Sequence, residues 1–214
     1  MGVIERRKRE KEMRMELAVE AAMKIFSEEG YHSITMEKIA ERSEISRAAL
    51  YLYFKNKDEI LITAIAEHTD YFAELLDSLF DNRETLKDRL LYEIWECFKK
   101  FYEKNPIVFN ASQYFHQSEM IRNLPDELRD ILYESGSRVV GLQHNIVKFG
   151  IEAGIFIRCD PRTLSEVIWS TFLGIVYLER SKYVLSKKSH LDITRDTAIK
   201  VLSRGILTHS DIKC

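Results

Sequence analysis

The chain has 214 residues, 45% of them hydrophobic, which is enough to fill a sizeable core and excludes a disordered chain. Eight glycines and three prolines give little punctuation, so long helices are favoured over many short strands, and an all-α fold is expected. A formal net charge of −2 gives no global attraction to nucleic acid, so any affinity for DNA must come from a local patch.

The first such patch opens the chain. Arg6, Arg7, Lys8, Arg9, Lys11 and Arg14 stand against Glu5, Glu10 and Glu12, which reads either as a DNA-touching arm or as a solvated, frayed terminus. Helical periodicity begins near Glu10, where Met13, Leu17, Ala21, Ile25 and Phe26 recur at spacings of three and four, and Gly30 ends it. Thr35 is placed to cap a short second helix with Glu37 in its first turn and Met36, Ile39 and Ala40 on its inner face. Ser46 caps a third helix running to about Tyr53, and Lys57-Asp58-Glu59 opens a fourth that continues to about Phe80. Arg47, Lys55 and Lys57 form the second basic patch, with no acid between them.

Beyond these, one helix is expected from about Glu84 to Lys104, ended by Asn105-Pro106, because a residue before proline is pushed out of the α region. Pro106 starts the next helix. Pro125 heads a long one from Asp126 to about Glu152, closed by Gly154. Asp160-Pro161 begins another to about Leu185, and Asp192 caps a last one ending near Leu207.

Cys97, Cys159 and Cys214 are odd in number, far apart and without CxxC spacing, which argues against a disulfide framework and a zinc site and fits a reducing cytoplasm. No apolar segment follows the basic N-terminus, so a signal peptide is not expected. The charge-free run Val167 to Leu178 is well short of the roughly 20 residues of a membrane span and reads as buried helix. An enzyme is not expected either: there is no metal spacing, nucleophile motif or phosphate-binding glycine loop, and His32, His68, His116, His144, His190 and His209 are scattered. No cofactor is indicated.

Residues 34–53 carry the informative motif. Two short helices joined by a tight turn must pack steeply against a third, with Ile39 and Leu50 as apolar contacts, Ile45 plugging the turn and Ala40 small at the crossing. That packing exposes Arg47, Ala48, Ala49, Tyr51 and Leu52, a face that fits a major groove. The run Thr35-x-x-x-Ile39-Ala40-x-x-x-x-Ile45-Ser46-x-x-x-Leu50-Tyr51-x-Tyr53-Phe54-x-x-Lys57-x-Glu59-Ile60-Leu61 resembles the TetR-family signature, and Ala21-Ala22 and Phe26 before Gly30-Tyr31 match its first helix. The resemblance covers residues 10–61 by motif and the rest only by helix count and length. It implies an N-terminal three-helix DNA-binding domain over residues 10–56 and a helical ligand-binding and dimerisation domain over 57–210.

By the same resemblance, Thr35 and Tyr51 contact phosphates, Lys57 does so from the head of the fourth helix, and Arg47 reaches base edges. Ser46, Ala48, Ala49, Tyr53 and Lys55 complete the candidate DNA-facing set. One departure stands out: Glu44 occupies the turn position where the family commonly has glycine, and Ser43 replaces a frequent alanine. A left-handed non-glycine residue costs about 1 kcal/mol, so either the turn tolerates it or the local geometry and the angle between the two helices differ.

The family further implies a homodimer on a near-palindromic double-stranded operator, most simply a repressor released by a small-molecule effector. An activator is also compatible, since operator position decides that. The apolar face of Val167, Ile168, Phe172, Ile175, Val176 and Leu178, with Ile199, Leu202, Ile206 and Leu207, suits the dimer interface. Trp95, Phe98, Tyr102, Phe109, Gln113, Tyr114, His116 and Trp169 are the candidate effector-pocket residues, although aromatics at helical spacing are commonly just core. A regulator that senses another protein, or nothing, is the rival reading.

Overall fold

The structure, a computed structural model, describes residues 2–117 and 120–208; Cys214, His209 and the end of the expected second domain lie outside them. The regular secondary structure of the described residues is helical, apart from an isolated bridge between Phe156 and Leu207. In order the helices are α1 (Val3–Glu29), α2 (Met36–Arg42), α3 (Arg47–Tyr51), α4 (Lys57–Asp81), α5 (Arg83–Leu86), α6 (Leu90–Lys104), α7 (Pro106–Gln117), α8 (Met120–Asn123), α9 (Asp126–Glu152), α10 (Pro161–Ser186) and α11 (Leu191–Ile206).

Three boundaries differ from expectation. Helix α1 starts at Val3, so the basic segment is helix and not an extended arm; the i,i+4 pairs Arg6–Glu10 and Lys8–Glu12 support it. Its buried face begins only at Ala18 and runs through Ala21, Ala22, Ile25 and Phe26, while Met13 and Leu17 stay exposed. The helix expected over 84–104 is interrupted by a 3-10 turn at Lys87–Arg89. Helix α11 starts at Leu191 with His190 as its N-cap, whose backbone N–H donates to the buried carboxylate of Glu179 at 2.8 Å, and Asp192 instead pairs with buried Arg195.

Packing divides the chain differently from a single cut after residue 56. One unit comprises residues 2–70 with 102–136, the other 71–101 with 137–208. The first is built on Ala18, Ala22, Ile25, Ile34, Ile39, Leu50, Ile60, Leu61, Ala111 and Phe115, all buried in one cluster. The second is aromatic: Phe72 stacks on Phe101 with ring centroids 4.3 Å apart, and Phe98 meets Trp169 edge-on at 4.8 Å. Gly150 is required there, since a Cβ on it would sit 2.4 Å from the fully buried ring of Phe156. No described helix is long and apolar enough to cross a membrane.

Candidate nucleic-acid interface

Helices α2 and α3 are each capped by the residue the sequence suggests. The Thr35 hydroxyl accepts the backbone N–H of Lys38, and the Ser46 hydroxyl accepts that of Ala49, both at 3.2 Å. The Thr35 hydroxyl also hydrogen-bonds the Glu37 carboxylate, whereas the Ser46 hydroxyl hydrogen is still available to donate outward.

The turn between them is a Schellman motif. Ile45 N–H donates to the Ala40 carbonyl at 3.1 Å and Glu44 N–H to that of Glu41 at 3.3 Å, which places Glu44 in the left-handed region with φ 56°. The accompanying apolar contact is present, because Ala40 and Ile45 are buried in the same cluster. The Ser43 hydroxyl adds a 2.6 Å bond to the Ile39 carbonyl. These interactions hold the strained Glu44 in the geometry that glycine would adopt without strain.

Fully buried Leu50 anchors α3, and opposite it Arg47, Ala48, Tyr51 and Leu52 are exposed, Leu52 by 79%. Ala49 and Tyr53 are half-buried against the cluster, so they support the helix instead of standing on its outer face. Arg47 reaches back to Glu37 on α2, 2.6 Å from its Oε1, with its guanidinium 5.6 Å from the Tyr51 ring centroid. A hydrogen bond with Tyr51 and the charge of Glu37 both favour the protonated guanidinium. Sequence reading missed this partner; opposite charges at Glu37 and Arg47 were the only signal.

Lys55 is mostly exposed and lies 3.0 Å from Glu127 at the start of α9. Lys57 is placed differently, half-buried at the head of α4. Its ammonium donates to the carbonyls of Ile34 at 3.1 Å and Tyr31 at 3.3 Å, and sits 4.0 Å from the Tyr31 ring centroid. An ammonium has three hydrogens, so one remains beyond those given to the two carbonyls.

The eight candidate effector residues fall into two groups. Trp95, Phe98 and Trp169 belong to the aromatic unit, where Phe98 and Gln143 line a cavity of only 10 Å³ and the Trp95 indole N–H and Gln143 amide nitrogen have no hydrogen-bond partner among the described residues. Tyr102, Phe109, Gln113, Tyr114 and His116 belong to the other unit: Tyr102 meets Phe109 edge-on at 5.2 Å, Tyr114 packs on Phe26 and Tyr31, and Gln113 bonds Ser112. His116 is exposed.

Residues 18–64, which hold α2, the turn, α3 and the head of α4, match the family described as bacterial regulatory proteins, tetR family. The chain is 28% identical to the fatty acid metabolism regulator protein of Bacillus subtilis over 154 residues, 72% of this chain and 76% of that one. The structure of Bacillus subtilis FadR in complex with stearoyl-CoA is similar over 89% of this chain and 98% of that one, with 26% identity and a TM-score of 0.64. The fold is shared with the SmeT–triclosan complex, at a TM-score of 0.72, 19% identity and 94% of this chain against 95% of that one. Residues 18–64 are a helix-turn-helix region of the tetR type, and the chain is a DNA-binding regulator of transcription.

Proposed function

We propose that this regulator represses transcription as a homodimer on a near-palindromic operator, and that an amphipathic ligand with an acyl chain releases it. The observation that carries the DNA part is the outer face of α3: Arg47 and Tyr51 are exposed on a short helix whose inner face, Leu50, is completely buried. Arg47 would exchange the Glu37 carboxylate for the O6 and N7 acceptors of a guanine, while Thr35, Ser46, Tyr51, Lys55 and Lys57 meet phosphates. Ala48 makes apolar contact in the groove, with Ala49 and Tyr53 supporting it from behind.

Dimerisation is supported by helices α10 and α11. They leave Val167, Tyr177, Leu178, Leu185, Ile193 and Val201 exposed, from 44% to 87%, an apolar face of the kind that marks an interaction site, whereas Ile168, Phe172, Val176, Ile199 and Ile206 of the expected face are buried within the protomer. A two-fold pair sets two α3 helices about 34 Å apart along DNA, so the half-sites lie about one helical turn apart. DNA selected from a random pool should therefore be a symmetric pair of half-sites; no enrichment, or a single unpaired half-site, would refute the dimeric reading.

The acyl ligand rests on the similarity to the stearoyl-CoA-bound protein and on the apolar aromatic unit with its unpaired Trp95 and Gln143 donors. Stearoyl-CoA at 100 times its dissociation constant should add about 2.7 kcal/mol of stability and weaken operator binding, whereas coenzyme A alone should do neither. One observation favours the rival reading, a regulator without a small-molecule effector: a 10 Å³ cavity is at the lower edge of what a single water needs. Flat thermal shifts across acyl chain lengths would decide for it.

A further inference from the structure

Tyr31, just past the end of α1, is in contact with two features that matter. On one side it forms part of the nest of Lys57: it supplies one of the two carbonyls that accept the ammonium, and its ring lies 4.0 Å beneath it. Its phenol O–H donates to Asp58, the next residue of α4, at 2.7 Å, and burial together with that carboxylate pushes the phenol pKa up, so it stays a neutral donor. On the other side the same ring is gripped by α7: Tyr114 lies 5.7 Å away, tilted, and Phe115 meets it edge-on at 5.8 Å. Tyr114 in turn meets Phe26 of α1 edge-on at 5.8 Å.

We infer that Tyr31 is a positioning residue for DNA binding: it sets where the Lys57 ammonium stands, and α7 sets Tyr31. The alternative is that Tyr31 is only core. A core tyrosine needs a partner for its hydroxyl and neighbours for its ring, and any of several buried positions would serve. This one instead gives its carbonyl, its ring face and its hydroxyl to the first two residues of α4, the helix end that carries the phosphate contact. A shift of α7 by a fraction of an ångström moves the ring, and with it both the π face and the carbonyl that hold the ammonium. The carbonyl of Ile34, three residues on, keeps the lysine in place but does not fix its height over the ring. The inference rests on the reading of Lys57 as a phosphate contact.

The test is a double-mutant cycle on the operator that the wild type selects. Lys57→Ala should weaken binding about tenfold for all sequences and reduce the salt slope by about one. Tyr31→Leu should reproduce both effects, and Tyr31→Leu with Lys57→Ala should be no worse than Lys57→Ala alone. Tyr31→Phe keeps the ring and the carbonyl and should retain most of the affinity. Tyr114→Leu, which touches neither Lys57 nor DNA, should cost about threefold and be non-additive with Lys57→Ala in the same way. Should circular dichroism show Tyr31→Leu unfolded at the assay temperature, Tyr31→Phe and Tyr114→Leu carry the test. Losses that multiply in the double variants, or a Tyr114→Leu protein with wild-type affinity and salt slope, would overturn the inference. Failure of the wild type to select any operator would instead remove the DNA-binding role of Lys57, and it is read from the wild type alone.

Discussion

The DNA-facing head and the aromatic unit use their side chains in opposite ways. In the head, the residues proposed to meet DNA are exposed or half-buried and held by polar contacts: Arg47 on Glu37, Lys55 on Glu127, Lys57 on two carbonyls. In the aromatic unit Phe72, Phe98, Phe101 and Phe172 are buried and held by ring contacts with one another. The difference separates binding from stability: exposed ion pairs contribute little to folding, whereas buried rings dominate it.

The largest effect should come from the aromatic side of that comparison. Phe72→Ala removes a ring with no exposed surface that stacks on Phe101, and should destabilise the protein by about 3–5 kcal/mol in chemical denaturation, with operator affinity retained wherever the variant is folded. Arg47→Ala should do the reverse, lowering affinity for the selected operator about ten- to hundredfold with an unchanged unfolding midpoint, and relaxing preference at one base pair per half-site. A variant that changed both quantities together would break the separation.

A smaller effect concerns pH. Burial pushes the Cys97 thiol up to about 11, above its unfolded value near 8.5, so the folded chain keeps a proton that the unfolded chain releases. Its contribution to stability is therefore intact below about pH 8 and is lost as pH rises towards 11. At pH 10 the wild type should be about 1–2 kcal/mol less stable than at pH 8 relative to Cys97→Ala, whose difference between the two pH values lacks this component. Equal pH dependence in the two proteins would show that the thiol ionises freely when folded.

The smallest effect returns to the head. Glu44→Gly should stabilise the protein by about 0.5–1 kcal/mol, because relief of the left-handed strain at φ 56° exceeds the entropy that glycine adds to the unfolded chain. Affinity should stay within about twofold, since the Schellman bonds of Ile45 and Glu44 are backbone bonds and survive the change.

The head was largely legible in the sequence, and the reason is local. Thr35 and Ser46 cap the helices that follow them, Gly30 ends α1, and Ile39, Ile45 and Leu50 bury at the spacing of a tight helix-turn-helix; each signal acts within a few residues of its effect. The turn was not: the sequence leaves open whether Glu44 tolerates the left-handed conformation or the local geometry differs, and the folded backbone decides for the first, with φ 56°.

What the sequence by itself determined is therefore the helical class, the order of elements and the face of α3 turned outward, all consequences of periodicity and capping. Tertiary structure alone decided the rest. The aromatic residues between Trp95 and His116 look alike as a pattern, yet packing assigns Trp95 and Phe98 to one unit and Tyr102 to His116 to the other, because helix periodicity names a buried face without naming its neighbour. Arg47 resting on Glu37, Lys57 on Tyr31 and Tyr31 on α7 are contacts across 10, 26 and more than 80 residues of chain, and only the folded backbone brings such groups within bonding distance.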